Sequence, residues 1–492
     1  MAPVMSLLSS SLPQTPSQTL AALAGLGASA WLLRLIVRHI LLRSPARPSS
    51  KSPSSVGPHF AAMSPDTQRA LQDRPVLIVG GGLAGLVAAF ELSERGVPTI
   101  ILDQENDANL GGQAFWSLGG IFCVDSTEQR RMGIKDSREL AMRDWFGSAQ
   151  FDRETEDTWP RRWAEAFVNF AADEMEAYVK ARGMGFLFNS SREVVGDFEI
   201  FGSAVAVTSG GIGGNVDAVK AAWPIDRLGP KVPETFVVGV PAHVDGRMIG
   251  IAEQHICATG YDYSWFILDQ SIIAREFALS GSEQNPDVTG KSVWKLLTRV
   301  FGKKGTVPVQ NFQKHGKDFV VRDNLPELVQ GMNELQRERG GPVLDLDDIR
   351  ETIELRDGQF DNAYSKDAQA MLINNGRTYW ADKRSRIAVP HKLLDKAHGP
   401  LIAVRMNLLT RKTLGGIETN LESNVMKANG EKFPGLYAAG EAAGFGGGGV
   451  HGYNSLEGTF LGGCIFSGRA AGRGIADELL GPAEAKGVRS KM

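Results

Sequence analysis

His451 and Tyr453 stand two residues apart in the glycine-rich run 444–455, GFGGGGVHGYNS. A phenol can give or take a proton, or donate to an oxyanion as it forms, and an imidazole can do either near neutral pH. Arg411 is a third candidate. With Lys412 it precedes Gly415-Gly416, and a cation there can hold an anionic substrate or an anionic reduced ring. Tyr261 and Tyr263 offer further phenols in the middle of the chain. These are residue types that can move protons or hold negative charge. The eight His form no H-x-H or H-x3-H pair, so no metal site is expected. No Gly-x-Ser-x-Gly element marks a hydrolase nucleophile.

The N-terminal half carries a separate signal, for binding a cofactor. Residues 75–79 (PVLIV) form an apolar, β-branched run, which reads as a strand. Gly80-Gly81-Gly82-Leu83-Ala84-Gly85 follows at once. A helical stretch, 86–95, is stopped by Gly96, and a second strand, 97–102, ends at Asp103. The spacing predicts a βαβ unit with G-x-G-x-x-G in its turn and an acid after the second strand, an arrangement that binds dinucleotides. Gly80 makes the tight turn, Gly82 lets backbone amides approach a pyrophosphate, and Gly85 lets the helix pack on the strand. Leu83 and Ala84 open the helix, whose first N–H groups face the phosphates. Asp103 can accept hydrogen bonds from a ribose.

Further glycine elements ask for a cofactor longer than a nicotinamide dinucleotide needs. Gly111-Gly112-Gln113 lies just past Asp103, where small residues permit close backbone approach. Gly210 belongs to a third strand-to-glycine element, 205–215. Residues 434–441 (PGLYAAGE) read as a strand ending in Gly440-Glu441. After the glycine-rich run, Asn454, Ser455 and Leu456 lead into a small-residue helix, 458–471. A strand, an acid, a glycine loop and a helix N-terminus can cradle ribityl and isoalloxazine groups.

The rest of the chain sets bounds. Its 492 residues allow about three structural units on a prior of ~150 residues each. With 42% hydrophobic and 22% charged residues, neither disorder throughout nor a polytopic membrane protein fits. The net charge of −3 does not call for nucleic acid. Cys123, Cys257 and Cys464 are scattered and form no CxxC pair, so no disulfide framework is expected. Charge is uneven: residues 1–65 hold Arg34, Arg38, Arg43, Arg47 and Lys51 and no acid, leaving 48 basic against 56 acidic residues elsewhere. Residues 20–33 are an apolar run of 14, extendable to 42 through Arg34, Arg38 and His39. Read as a signal anchor, this leader places the catalytic domain on the cytosolic side. Read as an Arg- and Ser-rich transit peptide, it is mitochondrial. The expectation is a single-span membrane anchor, with the mitochondrial placement as the alternative.

The chain resembles FAD-dependent oxidoreductases of the fumarate reductase/succinate dehydrogenase flavoprotein superfamily, in the branch likened to ketosteroid dehydrogenases. Residues 110–120 (LGGQAFWSLGG), 152–172, 239–248, 261–290, 411–416 (RKTLGG) and 440–468 carry the likeness, which spans about 75–474. It implies an α/β fold: a Rossmann-type, GR2-like FAD-binding domain interrupted by an α+β cap domain, after the N-terminal hydrophobic leader. The expected boundaries are a leader and linker over 1–64, an N-terminal segment of the FAD domain over 65–253, a shortened cap and substrate domain over 254–400, and a C-terminal segment of the FAD domain over 401–480. It also implies hydride transfer between a substrate carbon next to a carbonyl and flavin N5, with a small-molecule substrate, an electron acceptor and no nucleic acid.

Two departures bear on that reading. The fumarate reductase branch carries a His-Thr-Met-Gly-Gly motif, and here residues 411–416 hold no His, which argues against dicarboxylate chemistry. Positions 113 and 117 are Gln and Ser, so the FAD is expected to be noncovalent. In addition, the chain is short for the family across 189–192 and again across 254–259. Either a fumarate-reductase-like reductase of an unsaturated acid or a catalytically impaired flavoprotein is the alternative.

Overall fold

The run Val76–Val79 has no polar side chain, and Val76, Leu77 and Ile78 are buried, as a central parallel strand requires. It forms β1 of the computed structural model. The structure describes residues 73–105, 110–117, 119–131, 133–182, 204–209, 211, 216–223, 225, 229–233, 236–238, 263–276, 304–362, 364–378, 383, 387–407, 409–410 and 412–481. Apart from residues 179–182 these lie in one unit, Val56–Tyr178 with Ser191–Met492.

Helix α1, Leu83–Glu94, links β1 to the parallel strand β2, Thr99–Leu102, with Ile78 opposite Ile101. Strand β3, Val205–Val207, pairs with the other edge of β1, also parallel. Strand β10, Lys432–Ala438, continues the parallel set beside β3, and β9, Asn424–Met426, closes the edge antiparallel. The order β2-β1-β3-β10-β9 thus brings the two distant glycine elements, at the ends of β1 and β10, onto one sheet with β3 between them. The last helix, α6, Thr459–Leu480, packs on α1 through its glycines. A Cβ on Gly468 would lie 2.4 Å from the Ala84 carbonyl oxygen and one on Gly472 2.7 Å from that of Ala88. Val76, Ile78, Ala88, Leu92, Tyr437 and Ile475 share the core beneath.

Two helices lie within residues 138–173, separated by a non-helical stretch at 150–157. Helix α2, Arg138–Ala149, starts from a Ser137 cap that accepts from the Leu140 N–H, and α3, Thr158–Asp173, follows. The aromatic side chains of this stretch largely pack inward: Trp145, Phe151, Trp163, Phe167 and Phe170 are buried. Trp145 donates to the Val450 carbonyl at 2.9 Å, and Trp163 to that of Thr419 at 3.1 Å.

A second, antiparallel sheet has the order β5-β7-β6. Its strands are β5, Tyr263–Asp269, β6, Phe319–Arg322, and β7, Leu401–Asn407. Helices α4, Leu325–Arg337, and α5, Leu346–Asp361, cover it, with Leu328, Met332, Ile353 and Ala403 in the core between. Its central strand comes from residues beyond the 400/401 boundary expected from the sequence. Past β7, the short β8, Leu409–Thr410, pairs in parallel with β4, Val237–Val238.

The membrane anchor is corrected. Among the described residues, no helix is long and apolar enough to cross a membrane, and the leader that prompted the expectation lies outside them. Neither the anchored, cytosol-facing placement nor the mitochondrial alternative has support in the described residues. The short junctions at 189–192 and 254–259, and Tyr261, Gly210 and Arg411, also lie outside the described residues.

Candidate cofactor-binding and active site

The turn after β1 is shaped by close backbone approach at two glycines. Gly80 has φ +112°, and a Cβ there would lie 2.6 Å from the Thr208 carbonyl oxygen. A Cβ on Gly85 would lie 2.1 Å from the Gly80 oxygen and 2.7 Å from Thr208 Oγ1. The Thr208 hydroxyl donates to that same Gly80 oxygen at 2.8 Å, so the third strand-to-glycine element buttresses the first.

Gly82 differs. A Cβ there would meet nothing within 4 Å. Gly82 caps α1 without a side-chain hydrogen bond, and the first turn holds no acid. The first N–H groups, from Leu83 and Ala84 onward, thus stand at a positive helix end beside open space, which fits a pyrophosphate. Gly111 and Gly112 line the same turn. Gly111 N–H donates to the Gly81 carbonyl at 3.1 Å, and a Cβ on Gly112 would come within 3.2 Å of Gly82 Cα. Asp103 accepts from the Gly81 N–H through Oδ2 and from the Glu105 N–H through Oδ1, the latter at 2.7 Å. Each carboxylate oxygen keeps acceptor capacity for a ribose hydroxyl.

Gly440 and Glu441 reach this turn from β10. Gly440 has φ +66°, its N–H donates to Ser467 Oγ at 2.9 Å, and a Cβ would lie 2.8 Å from that of Ala84. Glu441 is buried. Its Oε1 accepts from the Thr413 N–H at 2.7 Å and its Oε2 from Gln113 Nε2. Gln113 Oε1 in turn accepts from Lys412 Nζ at 2.8 Å. Burial pushes the Glu441 carboxyl above the usual carboxylate range, and the Lys412 charge opposes that push.

Two glycines of the glycine-rich run make room for close packing. A Cβ on Gly446 would lie 2.5 Å from the Trp163 ring, and one on Gly447 2.7 Å from the Trp159 backbone. His451 is fully enclosed. It stacks on Trp145 with ring centroids 5.5 Å apart, and Phe445 and Phe460 lie at 5.2 and 5.1 Å. Neither ring nitrogen has a partner among the described residues. Burial pushes its pKa down to about 3, so it is neutral at physiological pH. Tyr453 is only half-buried, and its hydroxyl donates to Asp152 Oδ1 at 2.6 Å. The Asn454 carbonyl accepts from Ser148 Oγ at 3.0 Å, and Ser455 and Leu456 lead half-buried into α6. Tyr263 sits on β5, its ring 5.7 Å from the Arg339 and Arg405 guanidiniums. Sequence reasoning missed Ser467, the Trp145 face under His451, and Asp152. No local pattern marks these three, because each acts on residues far away in the chain.

A mainly parallel α/β sheet, an open helix N-terminus at the end of its first strand and a second glycine element near it define a dinucleotide-binding protein. Residues 75–197 and 190–461 match the family model described as FAD binding domain, and the chain belongs to that family. It is 44% identical, over 83% of its own length and 100% of the other's, to the KsdD-like steroid dehydrogenase of Mycolicibacterium smegmatis. A KsdD-like steroid dehydrogenase of Mycobacterium tuberculosis is 41% identical over 82% of this chain and 96% of that protein. Among solved structures, the 3-ketosteroid-delta4-(5alpha)-dehydrogenase from Rhodococcus jostii RHA1 in complex with 4-androstene-3,17-dione is 14% identical. That match covers 82% of this chain and 96% of that one at a TM-score of 0.43.

The alignment with the M. smegmatis protein runs over 556 residues, whereas 83% of 492 is about 408. About 148 aligned positions therefore have no counterpart in this chain. The family match itself breaks into two pieces that meet at 190–197, beside the first short junction.

Proposed function

We propose that the protein is an FAD-dependent dehydrogenase that removes hydrogen across a carbon–carbon bond next to a carbonyl, with a steroid-type ketone as substrate. The observation that carries this reading is the 44% identity to a KsdD-like steroid dehydrogenase along that relative's whole length. Lys412 in place of the His of the dicarboxylate-binding motif supports the ketone over the acid. FAD, when bound, supplies the hydride acceptor. Gly80, Gly82, Leu83, Ala84 and Gly85 hold its pyrophosphate and Asp103 its ribose. Gly111, Gly112, Gln113, Gly210, Gly440, Glu441, Asn454, Ser455 and Leu456 line the rest of its path, noncovalently. Tyr453 handles the proton. Arg411 steadies negative charge, and His451 fixes the shape of the glycine-rich run. The cap extends from 254 through β7, and the C-terminal segment of the FAD domain begins after it. Steady-state assays with a panel of 3-ketosteroids and a panel of enoates test this. Turnover of ketones alone supports the reading, and turnover of enoates alone overturns it.

A second reading has its own observation. Positions missing relative to a full-length relative favour a flavoprotein with impaired turnover. Sequencing the transcript across 189–192 and 254–259 decides it: additional coding sequence there removes the impaired reading, and its absence together with FAD-loaded but inactive protein supports it.

A further inference from the structure

Two consecutive non-glycine residues, Gln150 and Phe151, have positive φ, at 67° and 41°. Such conformations are costly and persist where surrounding contacts impose them, most often at functional sites. The contacts here are specific. Gln150 N–H donates to the Phe146 carbonyl at 2.9 Å, Phe151 N–H to that of Ala149 at 2.9 Å, and the Arg161 guanidinium to that of Phe151. The Phe151 ring is buried. From the other side, Tyr453 N–H donates to the Ala149 carbonyl at 3.1 Å, and Gly452 comes so close that a Cβ would lie 2.2 Å from that same oxygen. The residue delivered by this strained turn is Asp152, and its carboxylate takes the Tyr453 hydroxyl at 2.6 Å.

We infer that Asp152 is the terminal proton acceptor for Tyr453, completing a two-residue relay that enolises the ketone substrate; this rests on the dehydrogenase reading above. A phenol already donating its proton to a carboxylate keeps its lone pairs as acceptors. As the C–H bond beside the carbonyl breaks, its proton forms a new Oη–H bond on Tyr453. The original Oη–H breaks, and its proton forms an Oδ1–H bond on Asp152. The electron pair stays on the substrate as the enolate. Tyr453 ends as it began, and one proton has moved from carbon to Asp152. Asp152 is exposed, so that proton passes to water, while Tyr453 is half-buried. The charged groups around the pair are Arg153, whose guanidinium lies 5.6 Å from the Tyr453 ring centre, its partners Glu156 and Asp157, and Arg161. Tyr453 is thus the catalytic residue, and Asp152 acts through it as a positioning residue.

The test uses FAD-loaded full-length protein with 4-androstene-3,17-dione in D2O. Deuterium entering the ketone is read by mass, and oxidation is read separately. Asp152→Asn keeps the size and an acceptor oxygen but cannot take the proton. It should retain FAD, lose about 10²–10⁴-fold in exchange rate, and lose the acidic limb of the pH profile. Asp152→Glu should restore some of the rate, and Tyr453→Phe should abolish exchange. If wild type oxidises the ketone while Asp152→Asn matches it in exchange rate and pH profile, the relay is overturned and the dehydrogenase reading stands. If wild type neither exchanges nor oxidises the ketone, the substrate reading falls, and the relay with it.

Discussion

Gln113 and Glu441, 328 residues apart in the chain, are hydrogen-bonded side chain to side chain. Lys412 Nζ on the other end of the same carboxamide, at 2.8 Å, makes Gln113 a bridge between a cation and a buried carboxyl. Gln113→Leu should cost about 1–3 kcal/mol, because Glu441 loses a donor and Lys412 an acceptor. Urea unfolding of the FAD-free protein checks this, and an unchanged midpoint would contradict the bridge.

The two helix-side glycines should respond differently. Gly82→Val has room and an ordinary φ of −71°, so stability should fall by no more than about 1 kcal/mol, yet FAD binding should be lost. Gly85→Ala drives a methyl into the Gly80 backbone and should cost about 3 kcal/mol or more. Calorimetry without FAD, followed by FAD titration, separates the two outcomes.

Asp103→Ala should weaken FAD binding by about 1–3 kcal/mol. It should also loosen the turn without cofactor, since Gly81 and Glu105 lose their acceptor. Faster exchange of the Gly81 amide hydrogen in the FAD-free variant is the readout.

His451 gives a pH dependence with a definite sign. Its pKa falls from an ordinary value of 6.5 to about 3 in the fold, so between those values the unfolded chain binds the extra proton. Stability is full above about pH 6.5 and declines as pH falls toward 3, by up to about 1.4 kcal/mol per unit. His451→Phe should remove that slope. Unfolding free energies at pH 7 and pH 5 would then differ by about 2 kcal/mol less in the variant than in wild type.

The first βαβ unit is legible in the sequence because its signals are local: residues 75–103 hold strand, glycine turn, helix and acid in one stretch. Gly440 and Glu441 are legible for the same reason. The setting of His451 is not. Flanked by Gly449-Val450 and Gly452, it carries no local sign of burial, and Trp145, far earlier in the chain, forms the wall it stacks on. The glycines at 446 and 447 look ligand-facing in sequence, whereas in the fold they let Trp163 and the Trp159 backbone approach. Strand β7 lies past the boundary expected at 400/401. Its partners, β5 and β6, come from 263–269 and 319–322, and such pairing leaves no periodic mark. Asp152 has no sequence signal at all, since its place is set by two strained residues before it and a tyrosine 301 residues away.

Anaerobic mixing of the FAD-loaded protein with 4-androstene-3,17-dione tests the central claim most directly. Loss of the visible flavin absorbance, with a product two hydrogens lighter, is the predicted result. A protein that binds FAD but keeps its colour with every 3-ketosteroid, while its chemically reduced form is reoxidised by an unsaturated acid, would contradict the account.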